Sequence, residues 1–426
     1  MLSKTFARRK ARSGYVLTTG AILAAFAIST SAMAQDLTLA DALSRTATVD
    51  PAIAVNAARL RAADATITQA GIRPRDAIGI EIEDFAGTGP YAPGSRAQTT
   101  LWYERIWERG GKREARIGAA RAGLGNQSER NRIRMLNVLA QVQSAWVEAL
   151  AAEAVIPIAE QRLTAATQAK AEIDRRVARA LDPLFTAERA GTVAAQARIA
   201  LDQAQEHARI ARATLASFWG GNADYHLDLA AFGKIETTSP LTSGSPDLTL
   251  LTAERDKAAA NMRLAETGNF GDPAIRVGVR HFGQGNDVAV MVGGSIPLGS
   301  STANRGNVER AQAERQAADA EIAVARVEHR RNLDRLTAER AAIAAEIAEI
   351  DQEVLPRAER AAILVQRGLA HGGTAFTFLE VNQAQQAVAD AKAHRVELLR
   401  RFHLAGAQLD RLTGRHASLL SNAENR

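Results

Sequence analysis

The stretch that most limits what this chain can become is Ala274 to Ile296, which reads AIRVGVRHF, then GQGN, then DVAVMVGGSI. Ile275, Val277 and Val279 alternate with Arg276, Gly278 and Arg280, so one face is aliphatic and the other is polar or bare. A period of two belongs to a strand whose faces meet different environments. Gly283-Gln284-Gly285-Asn286 is a hairpin link, and Val288, Val290 and Val292 carry the alternation into the return strand. The same object occurs earlier. Ala77 to Phe85 sets Ile78, Ile80 and Ile82 against Gly79, Glu81 and Glu83, and beyond a Gly/Pro-rich loop a second strand runs from about Gln98 to Trp107. Strands of roughly nine to eleven residues match the length of a transmembrane β-strand. Long runs rich in Ala, Arg, Glu and Gln, almost without Gly or Pro, flank both hairpins. Short apolar-out hairpins between very long helices make sense when the strands sit in a lipid bilayer.

Composition fits long, closely packed helices better than a bulky core: aromatics are 4% of the 426 residues, there are 11 Pro, and Ala is conspicuous. Cysteine is absent, which excludes disulfides, thiolate metal sites and a lipidated N-terminal Cys. Residues 1–34 read as a signal peptide. Lys4, Arg8, Arg9, Lys10 and Arg12 form a basic n-region, Val16 to Ile28 is apolar, and Ala32-Met33-Ala34 is a small-x-small cleavage site ahead of Gln35. Those basic residues account for most of the formal net charge of +6, so the body of the chain is near neutral. Nucleic acid is therefore not an expected partner, because phosphate binding needs a surplus of clustered cations. Beyond the leader no apolar stretch of about 18 residues or more is expected, and so no membrane-spanning helix.

Helical periodicity runs from Leu37 to about Ala70, with a break at Asp50-Pro51 and a stop at Pro74. From Gly110-Gly111-Lys112-Arg113 it continues to Leu181, with Pro157 predicting a local kink; Asp182-Pro183 is a turn, and helix resumes from about Thr186 to Phe218. Trp219 to Pro246 reads as an irregular segment packed against the helices. Helix returns from Asp247 to about Gly268, then from about Asn304 to Ala370; His371-Gly372-Gly373 is a turn before a last helix over about Phe376 to Leu412. The order helix, hairpin, long helix, turn, helix thus occurs twice. Ala213-x-Leu215…Gly220 recurs as Ala407-x-Leu409…Gly414, and Ala190 as Ala384, each 194 positions on. The expected parts are a first repeat over 35–220, with strands near 77–85 and 98–107, and an equatorial linker over 221–246. A second repeat follows over 247–414, with strands near 274–282 and 288–296, and then a tail over 415–426.

The architecture follows from the lipid. In hydrocarbon every backbone amide must be paired, so a sheet must close, and known closed barrels need about eight strands. Four strands per chain therefore require at least two chains sharing one barrel. Helices of about seventy residues span on the order of 100 Å, so they must project from the membrane as a coiled-coil-like tube. Glu81, Glu83, Arg276 and Arg280 would be ruinous toward lipid but suit a water-filled lumen. Half-buried hairpins on a soluble protein are the competing reading. Against it, each hairpin is expected to have no other strands in the chain to pack on.

At this point the chain resembles a known family, the TolC-like outer-membrane efflux proteins of Gram-negative bacteria. The resemblance covers essentially all of the chain beyond the leader. It is carried by Gly110-Gly111-Lys112-Arg113 after the first hairpin, Ile296-Pro297-Leu298 ending the second, Asn304-Arg305-Gly306 with Ala311 opening the next long helix, and Phe378-Leu379-Glu380-Val381-Asn382-Gln383-Ala384 after the second turn. What it implies is a mainly α fold with transmembrane β, built as a homotrimer. Twelve strands would form one outer-membrane β-barrel, continued by a long periplasmic α-helical barrel with an equatorial belt at Trp219 to Pro246 and the C-terminal tail. It also implies a passive duct in the outer membrane, serving a periplasmic adaptor and an inner-membrane RND-type pump. The Gly-Gly-Lys-Arg exit is most similar to the heavy-metal (cobalt–zinc–cadmium) branch; drug or protein export is the alternative cargo. The family often places acidic residues at the periplasmic constriction. Here Asp182 lies at the first turn but Arg367 and His371 lie near the second, which departs from an acidic ring.

No catalytic chemistry is legible. Gly111-Lys112 is not a phosphate loop, since Ile106 and Arg113 stand where Gly and Ser or Thr are needed. The eight His are scattered, and neither a metal site, a cofactor site nor a nucleophile–base pair is expected. His281 and His371 read as solvated turn residues, and Glu346, Glu349, Asp351 and Glu353 as a solvated helix face. A periplasmic adaptor, the rival of another class, would need a sizeable all-β portion that two hairpins do not supply.

Overall fold

A computed structural model of the chain describes residues 36–92, 94, 96–236, 244–298, 302–370 and 376–424. The expected leader and the turn His371-Gly372-Gly373 lie outside the described residues, as does part of the expected linker. The chain begins with β1 (Asp36–Leu37), α1 (Leu39–Val49) and α2 (Ala52–Ala70). Thr38 caps α1 by a reciprocal exchange: its hydroxyl accepts from the Asp41 N–H at 3.2 Å, and its own N–H donates to the Asp41 carboxylate. The first hairpin is β2 (Ala77–Glu83) and β3 (Gln98–Ile106), followed by α3 (Lys112–Ala178) and α4 (Leu184–Ser217).

The segment expected to be irregular carries some order, β4 (His226–Leu227) and α5 (Leu229–Phe232), with β4 lying parallel to β1. Then come α6 (Pro246–Thr267), the second hairpin of β5 (Ala274–Phe282) and β6 (Val288–Ser295), and α7 (Arg305–Glu349). A π-helical turn, Ile350–Val354, separates α7 from α8 (Leu355–Ala370); α9 (Phe378–Thr413) and α10 (Ala417–Glu424) close the chain.

α3 runs unbroken through Pro157, whereas the other long helix is interrupted where no break was expected. Asp351 in the π turn stands 194 positions after Pro157, the same offset that relates the repeated motifs. The cause is Pro356, whose missing N–H and bulky ring conflict with the Gln352 carbonyl; widening the helix by one residue relieves the clash. The interruption of the second long helix therefore falls at the position equivalent to Pro157, where α3 stays unbroken.

The two hairpins, expected to lack other strands to pack on, pair with each other. β3 and β5 are antiparallel with Leu101 opposite Val279 and Glu104 opposite Arg276, giving one four-stranded sheet in the order β2-β3-β5-β6. Within one chain β2 and β6 are its edges. The register places Ile78, Ile80 and Ile82, Leu101, Ile275, Val277 and Val279, and Val288, Val290 and Val292 on one face. That face is bare: Ile78 is 75% exposed and Val290 78%. Apolar side chains left in this state over a whole sheet face need a non-aqueous neighbour.

The main core lies at the middle of the helices. Leu136, Leu139, Val142, Trp146 and Leu150 of α3 meet Leu43 of α1, Leu215 of α4, Ile347 of α7 and Leu398, Leu399 and Phe402 of α9. Tyr225, Phe232 and Leu420 close this belt. Burial on more than one side makes this part of α3 apolar, enough to pass a length-and-composition test for a membrane span. The expectation that no such stretch lies beyond the leader is corrected on that point, and the reason is packing against α1, α4 and α9. Two buried histidines belong to the belt. Burial holds His403 and His416 below the ordinary histidine range, and the His403 Nε2 lies 2.8 Å from the Phe232 carbonyl, to which it can donate.

The Gly-Gly-Lys-Arg motif is the joint between sheet and helix. Gly110 and Gly111 both take left-handed φ, 69° and 70°, and a Cβ on Gly110 would lie inside the Phe270 ring. Lys112 Nζ then reaches the Asp272 carboxylate at 2.7 Å, and the Arg109 N–H donates to the same carboxylate at 3.0 Å. In the second repeat Asn304 does the matching work, donating to the Ala265 carbonyl at 2.6 Å. Gly110→Ala is expected to destabilise the assembled protein by roughly 2 kcal/mol or more, combining left-handed strain with overpacking; a thermal melt in detergent reads it.

Candidate functional site

The polar face of the sheet gathers the four residues expected in a lumen and adds others. Arg280 lies 2.5 Å from the Glu83 carboxylate, donates from Nε to the Thr100 hydroxyl at 2.9 Å and from Nη1 to Gln98 Oε1 at 3.1 Å. Arg276 pairs not with Glu81 but with Glu104, at 2.9 Å, and lies over the Trp102 ring at 4.1 Å. Glu81 stays exposed. Gly79 is bare because the Trp102 indole lies across it, where any side chain would collide. The face is thus a lattice of cross-strand ion pairs, mutually neutralising and hydrophilic, which holds water while adding little net field.

At the far end of the helices, Ala180 takes a left-handed φ of 58° and the Leu181 N–H returns to the Arg176 carbonyl at 2.9 Å, closing α3. Asp182 is not an open acidic site. Arg176 donates from Nε to its carboxylate at 2.5 Å and from Nη1 to the Leu369 carbonyl of α8 at 3.3 Å. One buried arginine therefore ties the first turn to the helix that leads into the second. Arg367 is exposed on α8, and His371 is outside the described residues, so Asp182 and Arg367 are the two expected tip residues that the structure describes.

The tip has a small core of its own. Phe378 and Val381 pack with Ile173, Ala190 and Leu369, and the Thr377 N–H donates to the Glu380 carboxylate at 2.6 Å as an N-terminal cap of α9. This accounts for Phe378, Glu380 and Val381 of the Phe378-to-Ala384 motif. Around it Leu181, Leu184 and Phe185 are exposed, Leu184 by 71%.

Glu346 and Glu349 at the end of α7 and Asp351 and Glu353 in the π turn are all exposed, as a solvated face requires, and two of them also pair across the surface. Asp351 pairs with Arg395 of α9 at 2.5 Å and Glu346 lies 3.0 Å from His394 Nε2. Among the described residues no group of three or more His, Asp or Glu could hold a metal ion.

At the joint, burial pushes the Asp272 carboxyl up, but Lys112, the Arg109 N–H and Arg116 outweigh it and hold the group below the ordinary carboxylate range. A lowered native pKa means stability that is present above the unfolded value, about 3.9, and lost as pH falls through the native one. Asp272→Asn is therefore expected to lower the melting temperature at pH 7 and to shrink that difference toward pH 3, measured as paired melts across pH.

Residues 239–415 match the family model described as "Outer membrane efflux protein". The chain is 27% identical over 387 residues to the cobalt-zinc-cadmium resistance protein CzcC of Cupriavidus metallidurans, covering 89% of this chain and 90% of that one. It is 28% identical over 292 residues to the nickel-cobalt-cadmium resistance protein NccC of Alcaligenes xylosoxydans xylosoxydans, covering 65% and 64%. Among solved structures, the outer membrane protein VceC of Vibrio cholerae superposes with a TM-score of 0.70 at 21% identity, over 88% of this chain and 96% of that one.

Proposed function

We propose that this chain is an outer membrane efflux protein, and that three copies share one twelve-stranded barrel continued by a helical barrel in the periplasm. It is an outer-membrane efflux duct, passive and without catalytic machinery of its own. The observation that supports a barrel shared between chains is the sheet: an apolar, exposed face, an ion-paired opposite face, and two strand edges left open within one chain; the number three rests on the family resemblance. Lipid does not tolerate open edges, so β6 of one copy pairs with β2 of the next until the ring closes. The lattice of Glu83, Arg280, Glu104 and Arg276, with Glu81, then lines the lumen.

The repeated order of elements supports reading 35–220 and 247–414 as two copies of one unit, with 221–246 and 415–426 at the belt. Residues 1–34 are a leader removed on export to the outer membrane. The tip bears Asp182 and Arg367, and its exposed Leu181, Leu184 and Phe185 support docking of a periplasmic adaptor that brings an inner-membrane RND-type pump. Divalent heavy-metal cations are the cargo, on the strength of the two resistance proteins the chain resembles. The ion-paired lumen argues that the duct itself selects weakly, leaving discrimination to the pump.

Fractionation of membranes, followed by native mass of the detergent-extracted protein, tests the assembly. The expected result is an outer-membrane trimer lacking the leader; a soluble monomer would overturn the shared barrel. Deleting the gene is expected to lower tolerance to zinc, cobalt or cadmium, and a loss of drug tolerance alone would reassign the cargo.

A further inference from the structure

Where the sheet meets the helices, the chain holds a cavity of about 230 Å³ lined by Arg73, Arg105, Trp107, Lys112 and Arg113 together with Glu108 and Glu114. It adjoins a hollow of about 600 Å³ bordered by Ile72 and Arg75. The acids do not balance the bases. Glu108 is taken by Arg116, and Lys112 by Asp272. Arg105 has only a loose contact with Asp76, 3.8 Å, whose other carboxylate oxygen accepts from the Tyr103 hydroxyl at 2.6 Å. Arg73 and Arg113 have no carboxylate partner among the described residues, and the Arg113 Nε is shielded from solvent without a hydrogen bond. Glu114 remains as the one acid of the lining without an ion-pair partner among the described residues.

The register fixes where this cavity lies. Arg105 follows Leu101 and Tyr103 on the apolar face and stands opposite Ile275, at the strand end nearest the helices. An arginine on the lipid side is costly in hydrocarbon and tolerable at headgroup depth. Tyr103 and Trp107 beside it are the aromatic types found at that depth, and the Arg105 guanidinium lies over the Trp107 ring at 5.6 Å. The site therefore faces lipid at the water boundary, with unmatched positive charge and room for a group several times the roughly 30 Å³ of one water.

We propose that this cavity binds the phosphate headgroup of an anionic phospholipid in the periplasmic leaflet, through Arg73, Arg105 and Arg113, with Trp107 against the glycerol region. The proposal rests on the outer-membrane reading above. Its role would be to fix the height of the sheet in the bilayer and to seal the joint formed by Gly110 to Arg113.

Native mass spectrometry of the detergent-extracted protein, supplied with equal phosphatidylglycerol and phosphatidylcholine, tests it. Preferential retention of phosphatidylglycerol is expected, falling roughly fivefold for each arginine removed in Arg73→Gln and Arg113→Gln. Arg73→Lys and Arg113→Lys should keep most of the preference, and Arg310→Gln on the exposed face of α7 should keep all of it. Equal retention of the two lipids, or a preference indifferent to the glutamine variants, overturns the site. Displacement of the lipid by excess inorganic phosphate would assign the cavity to free phosphate and overturn the lipid. Should the glutamine variants not assemble, retention by the wild type must weaken with added salt; retention indifferent to salt refutes the charge-based site. A trimer in the outer membrane without lipid preference removes only this proposal, whereas absence from the membrane removes the duct reading itself.

Discussion

Ile80→Arg is expected to keep the protein from assembling in the outer membrane, while Glu81→Gln, one residue along the same strand, is expected to assemble normally. Ile80 is 69% exposed on the face shared with Leu101 and Val279. In the proposed barrel that face meets hydrocarbon, where an arginine near the middle of a strand costs about 2–4 kcal/mol. A trimer incurs the cost in every copy, which is comparable with the whole stability of an ordinary domain. Glu81 points the other way, opposite Thr100, and is outside the Arg280–Glu83 and Arg276–Glu104 pairs. Neutralising it removes a hydrated charge and leaves the lattice intact. The readout is the amount of trimer resistant to mild detergent in the outer-membrane fraction. Normal assembly of Ile80→Arg would mean that this face does not meet lipid, and the hairpins would have to be reread as soluble structure.

The contrast between those neighbours was legible in the alternation, because period two is a local property and a shift of one residue inverts it. The same locality explains the strand ends, which fall within a residue or two of their expected positions. What could not be read was anything set by register between distant segments. The alternation puts Arg276 on the polar face but does not say that Glu104, rather than Glu81, stands opposite; that follows from the pairing of β3 with β5 across 172 residues. Trp102 and Thr100 were missed for the same reason. Pro356 is a local signal in the sequence, and it lies just after the π turn. The Gly-Gly-Lys-Arg motif was visible as a motif, but its work depends on Phe270 and Asp272, which sequence spacing alone does not bring near. At the tip, Asp182 was identified by its place in a turn. Its partner Arg176 looked like one more helical arginine, because nothing local reveals that its other contact is the Leu369 carbonyl 193 residues away.

That arginine carries the second large expected effect, which is on function more than folding. Arg176→Ala is expected to open the tip. Its side chain is 10% exposed and that of Asp182 22%, so the pair is partly screened and the full cost of breaking a buried ion pair does not apply. Removing two charge-assisted contacts still leaves a carboxylate and a carbonyl without their donor, a loss of about 2 kcal/mol. In a tip that exchanges between closed and open arrangements, 2 kcal/mol assigned to the closed form alone shifts the balance roughly thirtyfold. Single-channel recording in planar bilayers is then expected to show higher conductance and longer openings than the parent. Asp182→Asn should act in the same direction but less, since Arg176 keeps its bond to the Leu369 carbonyl. The double variant should add little to Arg176→Ala, because the two substitutions remove one shared interaction. Unchanged conductance in Arg176→Ala, with the trimer intact, would show that the bond between the turns holds the fold of each protomer and not the closed state of the duct. Additive effects in the double variant would instead mean that Asp182 acts on passing ions independently of Arg176.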